Sequence, residues 1–258
     1  MKFRTFLITP ILALAAILLA GSAQASYTAG DVFLGFRATN GQGNTQTVLI
    51  DVGNFSKFTT AGTLSLGNFG TELKTIFTDS WNALDTVSWS GIAYDPVTKS
   101  MFNTIAEVTL GVAPAGYVSR SGTSQASTGS QVANVGFQFN VGLGGSEAST
   151  VPANSGTTII ENNTDSNYWV ASNRTPTWGV AGWNVEGNFG GGTGAAVAQL
   201  AFYRIAPTPG GTGGQFLGTF SIDDTGNATY VSAVPEPASA LLLGLGAIGL
   251  LARRRRKA

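Results

Sequence analysis

The chain has 258 residues, no cysteine, no histidine and a formal net charge of zero. The two missing residue types exclude disulfide support, thiol nucleophiles, histidine-based triads and the commonest zinc ligands. The zero total hides a segregation: seven of the fourteen cations sit at the two ends, and residues 26–233 hold seven cations against thirteen acids, a balance of −6 that excludes the basic footprint nucleic acid requires.

The amino terminus, "MKFRTFLITPILALAAILLAGSAQAS", has the three parts of a secretory signal peptide. Lys2 and Arg4 form the positive region and Phe6 to Ala20 the apolar one. Ala23 and Ala25 supply the small residues a signal peptidase accepts, predicting cleavage before Ser26. The expected division is therefore 1–25 signal peptide, 26–233 exported body and 234–258 a carboxyl-terminal segment.

The body alternates short apolar runs with glycine-rich stretches. "DVFLGFRAT" places Val32, Leu34 and Phe36 on one face, and with "QTVLIDV" it predicts an early hairpin. "GTELKTIFTDSWNAL" differs: Leu73, Ile76, Phe77 and Trp81 recur at helical spacing, with Thr71 placed to cap a short surface helix. "TVSWSGIAY", "NTIAEVTL", "VANVGFQFNV", "AVAQLAFYRI" and "QFLGTFSI" predict further strands, and the stretches near Ser119–Ser130 and Gly142–Gly156 predict long loops. "FSIDDTGNATYV" is the clearest hairpin, turning at Asp224-Thr225-Gly226-Asn227. About a dozen short strands and almost no helix predict an all-β body, a β-sandwich or jelly roll.

Few residues in the body form a chemical pattern. Trp169, Trp178 and Trp183 cluster with Tyr168; exposed, they would stack on sugar rings as in a lectin-like module, and buried they would fill the core or tether a loop. Asn163, Asp165 and Asn167 have the alternating spacing of a calcium loop, but Tyr168 stands where its glycine should follow and no acid closes it. Asp223 and Asp224 fit a turn more simply than a calcium site. No cofactor is expected, calcium being the one ion with any donor pattern. The pattern G-x-S-x-G does not occur, so no enzyme is expected; a hydrolase would need paired carboxylates across a cleft.

The carboxyl terminus reads "VPEPASALLLGLGAIGLLARRRRKA". Ala238 to Ala252 carries no charge, and as a helix these 15 residues span about 22 Å. Glu236 and Pro237 suit the start of such a helix, and Arg253, Arg254, Arg255, Arg256 and Lys257 would orient it with the cations inside. These flanks predict a single transmembrane helix anchoring a precursor in the inner membrane. Gly244-Leu245-Gly246-Ala247-Ile248-Gly249 matches G-x-G-x-x-G but lacks the strand–helix–strand unit of a dinucleotide site.

Val234-Pro235-Glu236-Pro237, the apolar stretch and the arginine cluster together resemble the sorting tail of PEP-CTERM bacterial proteins. The resemblance implies recognition of Pro235, Glu236 and Pro237 by exosortase, a membrane-embedded cysteine transpeptidase or protease, and removal of the tail during export. Two prolines suit that role, because they hold the segment extended and deny it helix or sheet hydrogen bonds. The implied function is that of an exported envelope protein, structural or adhesive in the cell surface or extracellular matrix. The alternatives are a carbohydrate-binding module and an extracellular hydrolase. The implied partners are signal peptidase, exosortase, the membrane and extracellular polysaccharide, with no nucleic acid.

Overall fold

The computed structural model describes residues 27–38, 41–83, 87–107, 122–141, 158–162, 187–188, 198–208 and 214–233. The strands are β1 (Asp31–Ala38), β2 (Gln46–Asn54), β3 (Thr63–Asn68), β4 (Val87–Asp95), β5 (Ser100–Ala106), β6 (Thr158–Asn162), β7 (Gly187–Asn188), β8 (Ala198–Ile205), β9 (Gln215–Ile222) and β10 (Asn227–Ser232). They form one sheet in the order β3-β10-β9-β8-β5-β4-β1-β2-β6, with β7 pairing β4, and every pairing is antiparallel.

This corrects the expected sandwich. The sheet is continuous and curls into a half-barrel, because β5 pairs β8 and β4 pairs β1 where a sandwich would break into two layers. Alternating apolar residues satisfy either architecture, so the pattern alone does not separate them. β3, β6 and β7 are strands that the apolar runs do not mark, although Leu64 and Leu66 of β3 do alternate.

One face of the sheet holds the main core. Val32, Leu34 and Phe36 of β1 join Val48 and Ile50 of β2, Trp89 of β4, Phe102 of β5, Phe202 of β8, Phe220 of β9 and Tyr230 of β10. The chain fills the hollow with its own connection. After β2 a 3-10 turn, Phe55–Thr59, crosses to β3 at the far edge of the sheet order. Asn54 caps this turn, its side chain accepting from Ser56 N–H at 3.1 Å. Phe58 then points into the hollow, with ring centroids 5.3 Å from Phe220 and 5.0 Å from Tyr230, both edge-on.

Helix α1 (Gly70–Phe77) and a second 3-10 turn (Trp81–Ala83) occupy the segment expected to form one surface helix. Leu73, Ile76, Phe77 and Trp81 all enter the main core, so the segment is a core element. Thr71 is not its cap. Phe69 is the capping residue and makes no side-chain bond, while Asn68 accepts from Gly70 N–H at 3.1 Å and reaches Thr225 and Asn227 of the β9–β10 turn.

The opposite face is covered by helix α2 (Gly122–Val141), which replaces an expected loop and the expected strand "VANVGFQFNV". Val135, Phe137 and Phe139 alternate as a strand would, but Gln125, Thr128, Val132, Val135 and Phe139 recur at helical spacing and are buried. Phe137 falls off that stripe and is 51% exposed. Glycine lets the helix lie close: a Cβ on Gly129 would stand 2.3 Å from the Tyr94 ring, and one on Gly136 would stand 2.4 Å from Tyr27. Gln125 fastens α2 to the sheet, accepting from Met101 N–H at 2.8 Å and donating to Ala206 C=O at 2.7 Å. Apolar cover on both faces explains why all eight residues of β1 are buried.

The expected transmembrane helix is also corrected, and with it the inner-membrane anchoring of a precursor through such a helix. No helix among the described residues is long and apolar enough to cross a membrane. α2 has the length, at 20 residues, but it carries serine, threonine, glutamine and asparagine along its course. Ala238 to Ala252 lies outside the described residues, and its 15-residue length falls short of the roughly 30 Å hydrocarbon core.

The expected β9–β10 hairpin forms, but its turn is Asp223 to Gly226, one residue earlier than the sequence suggests, with Asp223 as its organiser. One carboxylate oxygen accepts from Thr225 N–H, Thr225 Oγ1 and Asn227 N–H at 3.0, 2.7 and 2.9 Å, and the other accepts from Asn227 Nδ2 at 3.0 Å. Asn227 leads the bonds that hold the Asp223 carboxyl down at about 2. This network is intact above the usual carboxylate range and is lost as pH falls through about 2. Asp223→Ala is expected to lower stability by about 1–2 kcal/mol at neutral pH, read from the urea midpoint at unchanged slope.

Candidate functional site

The half-barrel stops short of closing, and a cleft of about 590 Å³ opens between the end of β2, the first 3-10 turn and β3. Thr28, Asp31, Asp51, Asn54, Lys57 and Ser65 supply polar groups, and Val52, Phe58, Leu64 and Leu66 supply apolar surface.

An irregularity in the β1–β2 ladder creates the polar side. Asp31 faces Asn54 and Phe33 faces Asp51, so two steps on β1 match three on β2. Gly53 absorbs the extra residue with φ +88°, a conformation side chains disfavour. A Cβ there would meet Lys57 Nζ at 2.2 Å, which places the ammonium directly over this glycine. Phe55 N–H donates to Gly30 C=O at 2.8 Å, and Asn54 Nδ2 to Ala29 C=O at 3.3 Å, tying the turn to the segment before β1.

Asp31 and Asp51 thus stand near one another on neighbouring strands, both largely buried. Asp31 accepts from Thr28 N–H at 2.6 Å and Asp51 from Gly53 N–H at 2.7 Å. Burial raises the Asp31 carboxyl against the pull of Thr28 N–H, Lys57 and Asn54. Burial, then the charge of Asp31, pushes Asp51 up to about 6, against Gly53 N–H and Lys57. The Tyr27 phenol is raised by burial first and by both carboxylates second. The cleft therefore presents two carboxyl groups that resist ionisation and one ammonium, beside an apolar wall.

The residues that line this cleft are not those the sequence singled out. Trp169, Trp178 and Trp183, the loop of Asn163, Asp165, Asn167 and Tyr168, the cleavage residues Ala23, Ala25 and Ser26, the motif Pro235, Glu236 and Pro237, and the cations Arg253 to Lys257 lie outside the described residues. Asp223 directs both carboxylate oxygens to hairpin donors. Among the described residues no three acidic side chains gather as a metal cluster. The signal for the cleft is an acid inside an apolar run: "VLIDVGN" places Asp51 where the alternation calls for a buried side chain.

The half-barrel with its cleft defines an all-β body, followed directly in the sequence by a short tail. That tail, residues 233–257, matches the family model described as the PEP-CTERM protein-sorting motif. The chain thus carries the signal of a protein exported to the cell surface through exosortase. No curated protein and no solved structure matches the chain.

Proposed function

We propose that the chain is a non-enzymatic structural or adhesive component of the cell surface or extracellular matrix. The sorting motif carries this reading, since it directs the body to a place where a stable β fold serves cohesion. Signal peptidase releases the mature chain at Ser26, and exosortase acts at the other end. Replacing Pro235, Glu236 and Pro237 together with alanine is expected to leave the precursor unprocessed and to reduce surface-labelled protein at least about tenfold, a loss of about 1.4 kcal/mol or more in recognition. Intact mass and surface biotinylation measure both. A strain lacking the protein is expected to lose cell–cell cohesion; undiminished cohesion would count against the structural role.

The cleft favours one second reading, binding of a saccharide from the matrix. Carboxyl, amide, hydroxyl and ammonium groups beside Val52, Leu64 and Leu66 match a sugar's hydroxyls and its apolar face. A glycan array probed with residues 26–233 tests this, with Lys57→Ala expected to abolish any signal.

A further inference from the structure

The folded body and the sorting motif have almost no chain between them. β10 is paired on both sides nearly to its end, with Val231 opposite Thr219 of β9 and Thr63 of β3. Ser232 N–H then donates to Gly62 C=O at 3.0 Å, and Ala233 N–H to Leu217 C=O at 2.8 Å. The motif match begins at that same residue, 233. Extended chain covers at most about 3.5 Å per residue, so Pro235 lies within about 7 Å of Ala233 and Pro237 within about 14 Å. A specific interface takes about 800 Å² of each partner, a patch of about 16 Å radius. An enzyme gripping Pro235-Glu236-Pro237 with that footprint overlies the end of β10.

The surface there is unusual. β3, β9 and β10 contain no charged residue of their own; the charge on this face is lent by Glu107, whose carboxylate accepts from Thr219 Oγ1 at 2.9 Å. β3 is an edge of the sheet and has neither lysine nor proline, the usual guards of an exposed edge. Val231, 48% exposed, is one of three large apolar side chains left open among the described residues, and it is the one beside the motif.

We propose that the β3–β10–β9 end of the body, centred on the exposed Val231, is a docking surface for exosortase, which reads folded body and tail together. This rests on the sorting reading. The competing route, in which β10 peels away before the enzyme binds, must dislodge Tyr230. That side chain is fully buried, packs on Phe58 and Phe220, and donates to Phe58 C=O at 2.8 Å.

The test uses the full-length chain in cells with a working exosortase, following maturation over time by immunoblot. Val231→Glu is expected to slow maturation about fivefold or more, the loss of one good interface contact, with the body's melting temperature unchanged. A spacer of about 15 glycine and serine residues after Ala233, spanning about 20 Å, is expected to slow maturation. It is also expected to abolish the difference between chains with and without the Val231→Glu substitution. The spacer result stands even if Val231→Glu lowers stability. Maturation of both variants at the parental rate overturns the proposal, as does faster maturation of the spacer chain, which would assign control to peeling. The triple alanine motif variant separates the two levels: if it matures normally, the sorting reading itself is wrong.

Discussion

Replacing Phe58 with alanine is expected to lower the stability of the body by about 3–5 kcal/mol, near the top of the range for emptying an aromatic core site. Phe58 is fully buried and its ring meets Phe202, Phe220 and Tyr230 edge-on, at centroid distances of 5.9, 5.3 and 5.0 Å. It stands on a crossing turn in the hollow of a curled sheet, and the strands around it are fixed by their own ladders. They cannot close on the space, so the cavity term is retained in full. The same turn holds the acceptor for the Tyr230 hydroxyl, so loosening it threatens a second, buried bond. For a body of this size the melting temperature should fall by about 10 °C. A fall of only a few degrees would mean that the hollow collapses and that Phe58 does not hold the half-barrel open.

The second large effect is a pH dependence with an unusual sign. Most carboxylates in folded proteins lose stability as pH falls; Asp51 does the reverse. Its folded value, about 6, lies above the ordinary 3.8, so the folded chain holds the proton more tightly than the unfolded chain. The cost of ionising it is absent below the ordinary value, grows as pH rises, and is complete above about 6. A displacement of this size corresponds to at most about 3 kcal/mol. Asp31 moves in the same direction, while Lys57 offsets part of both. Asp51→Asn keeps an oxygen for Gly53 N–H and removes the charge. It is expected to stabilise the body by about 1–3 kcal/mol at pH 8 and to remove most of the slope between about pH 4 and pH 7. Denaturant unfolding across that range measures it; a parent whose stability is flat or rises toward pH 8 would show that the pair is not held in a dry cleft.

Several elements are legible in the sequence because they depend on local pattern. The alternation of Val32, Leu34 and Phe36 fixes which face of β1 meets the core, and the turn Asp223 to Asn227 follows from side chains that bond their own backbone. Helical spacing identifies Leu73, Ile76 and Phe77, though not that they point into the core. α2 reads locally as a strand because period two and helical spacing coexist over Val135, Phe137 and Phe139. Which one prevails depends on the sheet face that awaits cover. The cleft is not legible, because Asp31 and Asp51 are twenty positions apart and meet only through the β1–β2 register and its extra residue.

The sequence by itself determined the address and the chemical exclusions: a sorting tail read from adjacent residues, and no thiol or imidazole anywhere in the chain. It also determined that the body is built on strands, since side-chain period is a local property. Only the tertiary structure decided that those strands form one curled sheet, that a turn plugs its hollow, and that two acids and a lysine share the open seam. These depend on pairings between distant strands, which alternating residues permit in more than one arrangement. The choice falls to the one that buries both faces of β1 at once.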